Sequence, residues 1–172
     1  MHQRYASIAS AITAQLIATR AAKTIHARVV AMCDGDLNAD SVLRVGAVEL
    51  KAAGLTRIKA EAMVALAQDV RDGRVRFERH GRMSDDDVLA EITAVRGIGP
   101  WTAQMYLIGP LARPDVWPPG DFGVRHGWTL VHQLDEMISE KDLREAGDAF
   151  TGVRSALAWY CWRAVHLHRG DN

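Results

Sequence analysis

Apolar positions along the chain recur at three- and four-residue spacing and nowhere sustain an alternating pattern, which predicts helices throughout and no strand. The alanine-rich residues 4–32 lack Gly and Pro and place Ile8, Ile12, Leu16 and Ala22 near helical spacing, enough for one or two helices. By pattern alone Leu16 belongs to a core stripe. Asp34-Gly35-Asp36 marks a turn. Asp40 or Ser41 can cap a short helix to Val45, and another runs from Ala47 to Ala53 and stops at Gly54. From Thr56 as cap, Ile58, Ala62, Ala65, Leu66 and Val70 line a helix that ends near Gly73. Ser84 heads the next, with Asp85, Asp86 and Asp87 at its positive end and Val88, Leu89, Ile92 and Val95 on one face. Further on, Phe122 to Trp128 can begin a helix, with Asp121 at or before its first turn. Ser139 starts one leading through Leu143 and Ala146 to Phe150, and a terminal helix spans about Arg154 to His168. The expected fold class is all-α.

Between two of these helices stands Gly97-Ile98-Gly99-Pro100. Two glycines permit positive φ, and proline suits the first turn of a helix, so residues of about 84–109 read as helix, tight hairpin, helix. Such a turn can be a plain loop, or it can present amides beside a helix N-terminus to a phosphate. Arg57 and Lys59, near the start of their helix, are either solvated or in touch with phosphate.

Length and charge narrow the choice. The 172 residues suit one compact domain, 1–172, and 48% hydrophobic against 24% charged residues is enough to bury a core. Lys plus Arg equals Asp plus Glu at 21 each, so attraction to a polyanion has to come from a local patch. Cys33 and Cys161 have no metal-binding spacing and read as reduced, buried or half-buried thiols, too few for an iron–sulfur cluster. The seven histidines are scattered, so no metal site is expected. No signal peptide or apolar run of membrane length appears, which fits a cytosolic protein.

The run Gly97-Ile98-Gly99-Pro100-Trp101-Thr102-Ala103, with Asp121 twenty residues after Trp101, resembles the helix-hairpin-helix DNA glycosylase superfamily, most closely its 3-methyladenine DNA glycosylase II branch. Three more segments are similar in order: Ala11-Ile12-Thr13-Ala14-Gln15-Leu16, the turn from Ala53 to Ala60, and the final helix from Arg154 to Arg163. The resemblance implies a multi-helix core with the site between two helical lobes. It also implies a base-excision repair enzyme that flips alkylated, mainly cationic purines of the 3-methyladenine or 7-methylguanine type out of double-stranded DNA and hydrolyses their N-glycosidic bond.

In that light Asp121, by sequence alone a helix cap, corresponds to the catalytic carboxylate that stabilises the sugar oxocarbenium and orients water. Trp101, Trp162 and Gln15 correspond to the base pocket, where indole faces favour a cation. Leu16 corresponds to the wedge, and Gly97, Ile98, Gly99 and Thr102 to the DNA-binding turn. Trp117, Trp128 and Trp159 are left to the core, and Tyr106 to either role. Trp101 stands where lyase relatives carry a lysine, which implies a monofunctional enzyme. No cofactor is required, although relatives often hold a monovalent cation at the hairpin. A monomer is expected, cytoplasmic and nucleoid-associated when on DNA.

The chain departs from the pattern at three places. Gly120 replaces the first of two acids, Ala18 a hydroxyl residue, and Gly152-Val153 a Pro-aromatic pair. It also begins almost at the wedge helix, like a minimal catalytic core. Two alternatives therefore stay open: a non-catalytic helix-hairpin-helix binder of damaged or distorted DNA, and a glycosylase for another base.

Overall fold

A computed structural model describes residues 2–170 and divides into two compact units, one ending at Leu111 and the other starting at Ala112. Nine α-helices and no strand occur among the described residues, as the apolar spacing predicts.

In the first unit, residues 4–32 form two helices, α1 (His2–Ala14) and α2 (Thr19–Met32), and Leu16 in the break between them has a left-handed φ of 56°. α1 buries Tyr5, Ile8, Ala9 and Ile12 on one face. Its Tyr5 hydroxyl donates to the Met63 carbonyl at 2.9 Å. The next helix, α3 (Ala39–Ala52), is capped by Asn38 and not by Asp40 or Ser41. Asn38 accepts from the Ser41 amide at 2.9 Å while the Ser41 hydroxyl accepts from the Asn38 amide at 3.0 Å. This reciprocal box satisfies two end-of-helix amides together, which a cap further along would not. The expected pair of short helices survives as a kink within α3, at Gly46 with φ 79° and ψ 164°. Thr56 caps α4 (Arg57–Arg71), and Gly73 lies beyond its end at φ 75°. Ser84 caps α5 (Asp85–Thr93), and α6 (Pro100–Ile108) opens on its proline.

The core of this unit encloses a polar cluster that the apolar pattern does not reveal. His80 is fully buried, with its ring nitrogens 3.0 Å from the Tyr106 hydroxyl and 2.8 Å from a Glu91 carboxylate oxygen. Tyr106 is therefore a core residue, its hydroxyl pushed up to about 12 by burial.

The second unit packs α7 (Phe122–Val131), α8 (Glu140–Ala146) and α9 (Arg154–Arg169) around Trp117, Val124, Trp128, Leu143, Ala158 and Cys161. Trp117 and Trp128 meet edge to face at 6.2 Å, and the Trp117 indole donates to the Leu143 carbonyl at 2.8 Å. Trp159 does not join them. The buried face of α9 runs through Ala158, Cys161 and Val165, and each residue turns the helix by about 100°, so Trp159 points outward and is 59% exposed.

Arg154 grips Asp115 with Nε on one carboxylate oxygen at 2.6 Å and a terminal nitrogen on the other at 2.8 Å. The guanidinium holds Asp115 down at about 2, against an ordinary 3.8. A carboxylate depressed on folding adds stability that is complete above the unfolded value and fades as pH falls toward the folded one. Asp115→Asn is expected to lower Tm at neutral pH and to flatten its fall between pH 3.8 and about 2. Thermal melts across that window check this, and identical profiles would remove the pair from the stability balance.

Candidate functional site

The candidate residues fall into two groups, one in each unit. In the first, α1 stops at Ala14 and the chain turns through Gln15 and Leu16. Leu16 does not continue the core stripe: it is 104% exposed, on a backbone that leucine seldom adopts. Neighbouring side chains hold the turn. The Gln15 amide donates to the Thr102 hydroxyl at 2.8 Å, and the Lys59 ammonium donates to the carbonyls of Thr13 at 2.9 Å and Gln15 at 2.6 Å. Lys59 is thus neither solvated nor at a phosphate-facing surface: it is 8% exposed, and burial pushes its ammonium below the ordinary lysine value.

The hairpin follows α5. Gly97 has φ 85°, and a Cβ there would lie 2.8 Å from that of Ala62 on α4, so conformation and packing both demand glycine. Ile98 and Thr102 are buried, which leaves backbone rather than their side chains for any ligand. Gly99 caps α6 without a side chain, and a Cβ on it would meet nothing within 4 Å. Trp101 sits half-buried in the first turn of α6.

In the second unit, Asp121 caps α7 and is 9% exposed. Its Oδ1 accepts from the Val124 amide at 2.7 Å and from the Trp162 indole at 2.8 Å. The cap expected from sequence alone is therefore present, but a second donor, 41 residues along the chain, also orients the carboxylate. Gly123, which the sequence did not single out, makes this arrangement fit. A Cβ there would lie 2.8 Å from Trp162 Cδ1 and 3.1 Å from Asp121 Oδ1. Trp159 lies perpendicular to Trp162 at 5.3 Å between ring centres. At Gly120 a Cβ would face the Glu140 carboxylate at 3.4 Å, so a carboxylate on residue 120 would meet one already in place. A carboxylate held by two donors keeps a fixed orientation, which suits it to stabilise positive charge developing nearby.

Residues 9–150 match the HhH-GPD superfamily of base excision DNA repair proteins. The chain belongs to that superfamily. Among HhH-GPD relatives, DNA-3-methyladenine glycosylase 1 of Schizosaccharomyces pombe is 26% identical over 166 residues, 95% of this chain and 73% of its own length. The DNA-3-methyladenine glycosylase of Saccharomyces cerevisiae is 32% identical over 145 residues, 79% of this chain but 49% of its own. The chain thus spans about three quarters of one relative and half of the other. A solved structure of the fission-yeast 3-methyladenine DNA glycosylase in complex with abasic DNA has a TM-score of 0.89 at 25% identity, covering 93% of this chain and 79% of that one. The Bacillus halodurans DNA-3-methyladenine glycosidase reaches 0.80 at 28% identity, covering 98% and 78%. All these HhH-GPD relatives carry names that refer to one lesion, 3-methyladenine.

Proposed function

We propose that the protein is a monofunctional DNA glycosylase that removes cationic alkylated purines from double-stranded DNA, working as a monomer without a cofactor. The observation that carries this is the Asp121–Trp162 pair, a carboxylate and an indole fixed on each other. Purines alkylated at N3 or N7 are positively charged and attracted to indole faces, a preference worth about 0.5–2 kcal/mol. Trp162 and Trp101 are assigned to that preference. When the C1′–N bond breaks, its electron pair leaves with the base and neutralises the purine. The sugar is left as an oxocarbenium ion. Asp121 stabilises it, water adds at C1′, and the proton that water loses passes to the carboxylate or to solvent. Leu16 fills the stack vacated by the flipped nucleotide, and the hairpin backbone holds a phosphate. Trp101 cannot form a Schiff base, so no strand cleavage accompanies base loss.

The test is to incubate the protein with methylated duplex DNA and separate the released bases by chromatography. Free 3-methyladenine or 7-methylguanine, with strand breaks appearing only after alkali, is expected. Binding to an abasic-site analogue without any release would make the protein a damage-binding module. Breaks without alkali would make it a lyase.

The two hairpin glycines separate folding from binding. Gly97→Ala is expected to cost about 2 kcal/mol of stability through strain and the clash with Ala62. Gly99→Ala has an allowed backbone and open space. It is expected to leave Tm within a few degrees while weakening duplex binding several-fold, because its methyl stands before the phosphate. Fluorescence anisotropy beside thermal melts checks both. Unchanged DNA affinity in Gly99→Ala would remove the hairpin backbone from the interface.

A further inference from the structure

Lys59 lies in the first turn of α4, where the helix dipole disfavours a cation. Nothing local explains its burial. Its ammonium instead reaches 46 and 44 residues back along the chain to the carbonyls of Thr13 and Gln15. α1 has no basic residue in its own last turn, so Lys59 supplies the cation that this helix end lacks. The two carbonyls flank the point where the helix breaks, and the next residue is Leu16 with its left-handed backbone. Gln15 is tied a second time through its side chain to Thr102. α4 also carries Ala62, on which Gly97 packs, so one helix holds the wedge turn and the hairpin turn in register.

We propose that Lys59 is a positioning residue for base flipping, fixing the Gln15–Leu16 turn so that Leu16 projects to enter the duplex. The role rests on the proposed insertion of Leu16 and is independent of which bond is broken afterwards.

The experiment is a double-mutant cycle of Lys59→Met and Leu16→Ala, read as the fluorescence rise of 2-aminopurine placed beside an abasic-site analogue in duplex DNA. Loss of two charge-assisted hydrogen bonds at a turn that must be accurately placed is expected to slow the rise roughly tenfold in Lys59→Met. Lys59→Arg, still able to donate to both carbonyls, is expected to recover most of the rate. In the Leu16→Ala background Lys59→Met should add nothing, since the group it positions is gone. An equal slowing by Lys59→Met with and without Leu16 would show an effect on folding alone and overturn the proposal. So would a rise that does not depend on Leu16. Should Lys59→Met fail to fold, Lys59→Gln, whose amide can donate to one carbonyl, passes through the same cycle.

The signal requires no bond cleavage, so the two proposals separate. A non-additive cycle in a protein that releases no base from alkylated DNA would refute the glycosylase and keep the role of Lys59. Base release with an additive cycle would do the reverse.

Discussion

Asp121→Asn is expected to lower the single-turnover rate of base release by roughly a thousandfold while leaving the fold intact. Asparagine caps a helix about as well as aspartate. Its amide oxygen can accept the same two hydrogen bonds, from the Val124 amide and the Trp162 indole. What disappears is the charge. A unit charge about 4 Å from a developing cation contributes about 4 kcal/mol at an effective dielectric of about 20, and each 1.4 kcal/mol or so is a tenfold change in rate. The loss of helix-dipole stabilisation is about 2 kcal/mol at most for so buried a group, so Tm should fall by less than about 8 °C. Rates of release from alkylated duplex and thermal melts of both proteins decide the matter. A rate reduced less than tenfold would leave Asp121 as a cap and nothing more.

The largest expected effect on stability is at Gly127. A Cβ there would stand 2.0 Å from the Cys161 carbonyl oxygen and 2.5 Å from its carbon, so α7 and α9 touch backbone to backbone. No rotamer can relieve a clash with backbone, and Gly127→Ala must push the helices apart. Overpacking of cores typically costs 1–3 kcal/mol, and a clash this close belongs beyond that range, at about 4 kcal/mol or more. For a chain of this size that corresponds to a Tm lower by about 10 °C or more. The separation would also carry Trp162 away from Asp121, so the fraction that stays folded should excise bases more slowly. A variant that melts with the wild type would show that the two helices do not approach so closely.

Features that rest on neighbours in sequence were legible before the structure. Thr56, Ser84 and Ser139 cap their helices because a hydroxyl three residues before a backbone amide is a local arrangement. The cap at Asn38 is not legible, because Asp40 and Ser41 close behind it have the same chemistry and only the reciprocal bond decides among them. Asp121 carries two readings: the cap, read from the residues, is in the structure, and the catalytic role implied by the resemblance is what Asp121→Asn tests. Its bond to Trp162 was not legible, because it joins different helices. Lys59 and His80 share that cause, since their partners come from other elements, whereas Trp159 follows from the phase of α9 alone. Remote partners also decide Gly123, Gly127 and Gly147, where the need for glycine comes from a partner helix or indole and not from a positive φ. Leu16 is the opposite case. Periodicity placed it in the core, whereas the resemblance placed it at the surface, where it lies.

Both cysteines are buried, and burial pushes each thiol upward, Cys161 to about 11 with the charge of Asp121 adding to the effect. Thiolates, not thiols, react with electrophiles. The methylating agents that would create the proposed substrates are themselves electrophiles, and soft sulfur nucleophiles are among their targets. A chain that keeps its two sulfhydryls protonated and out of solvent offers those agents little to modify, Cys161 included, although it lies beside the proposed catalytic carboxylate.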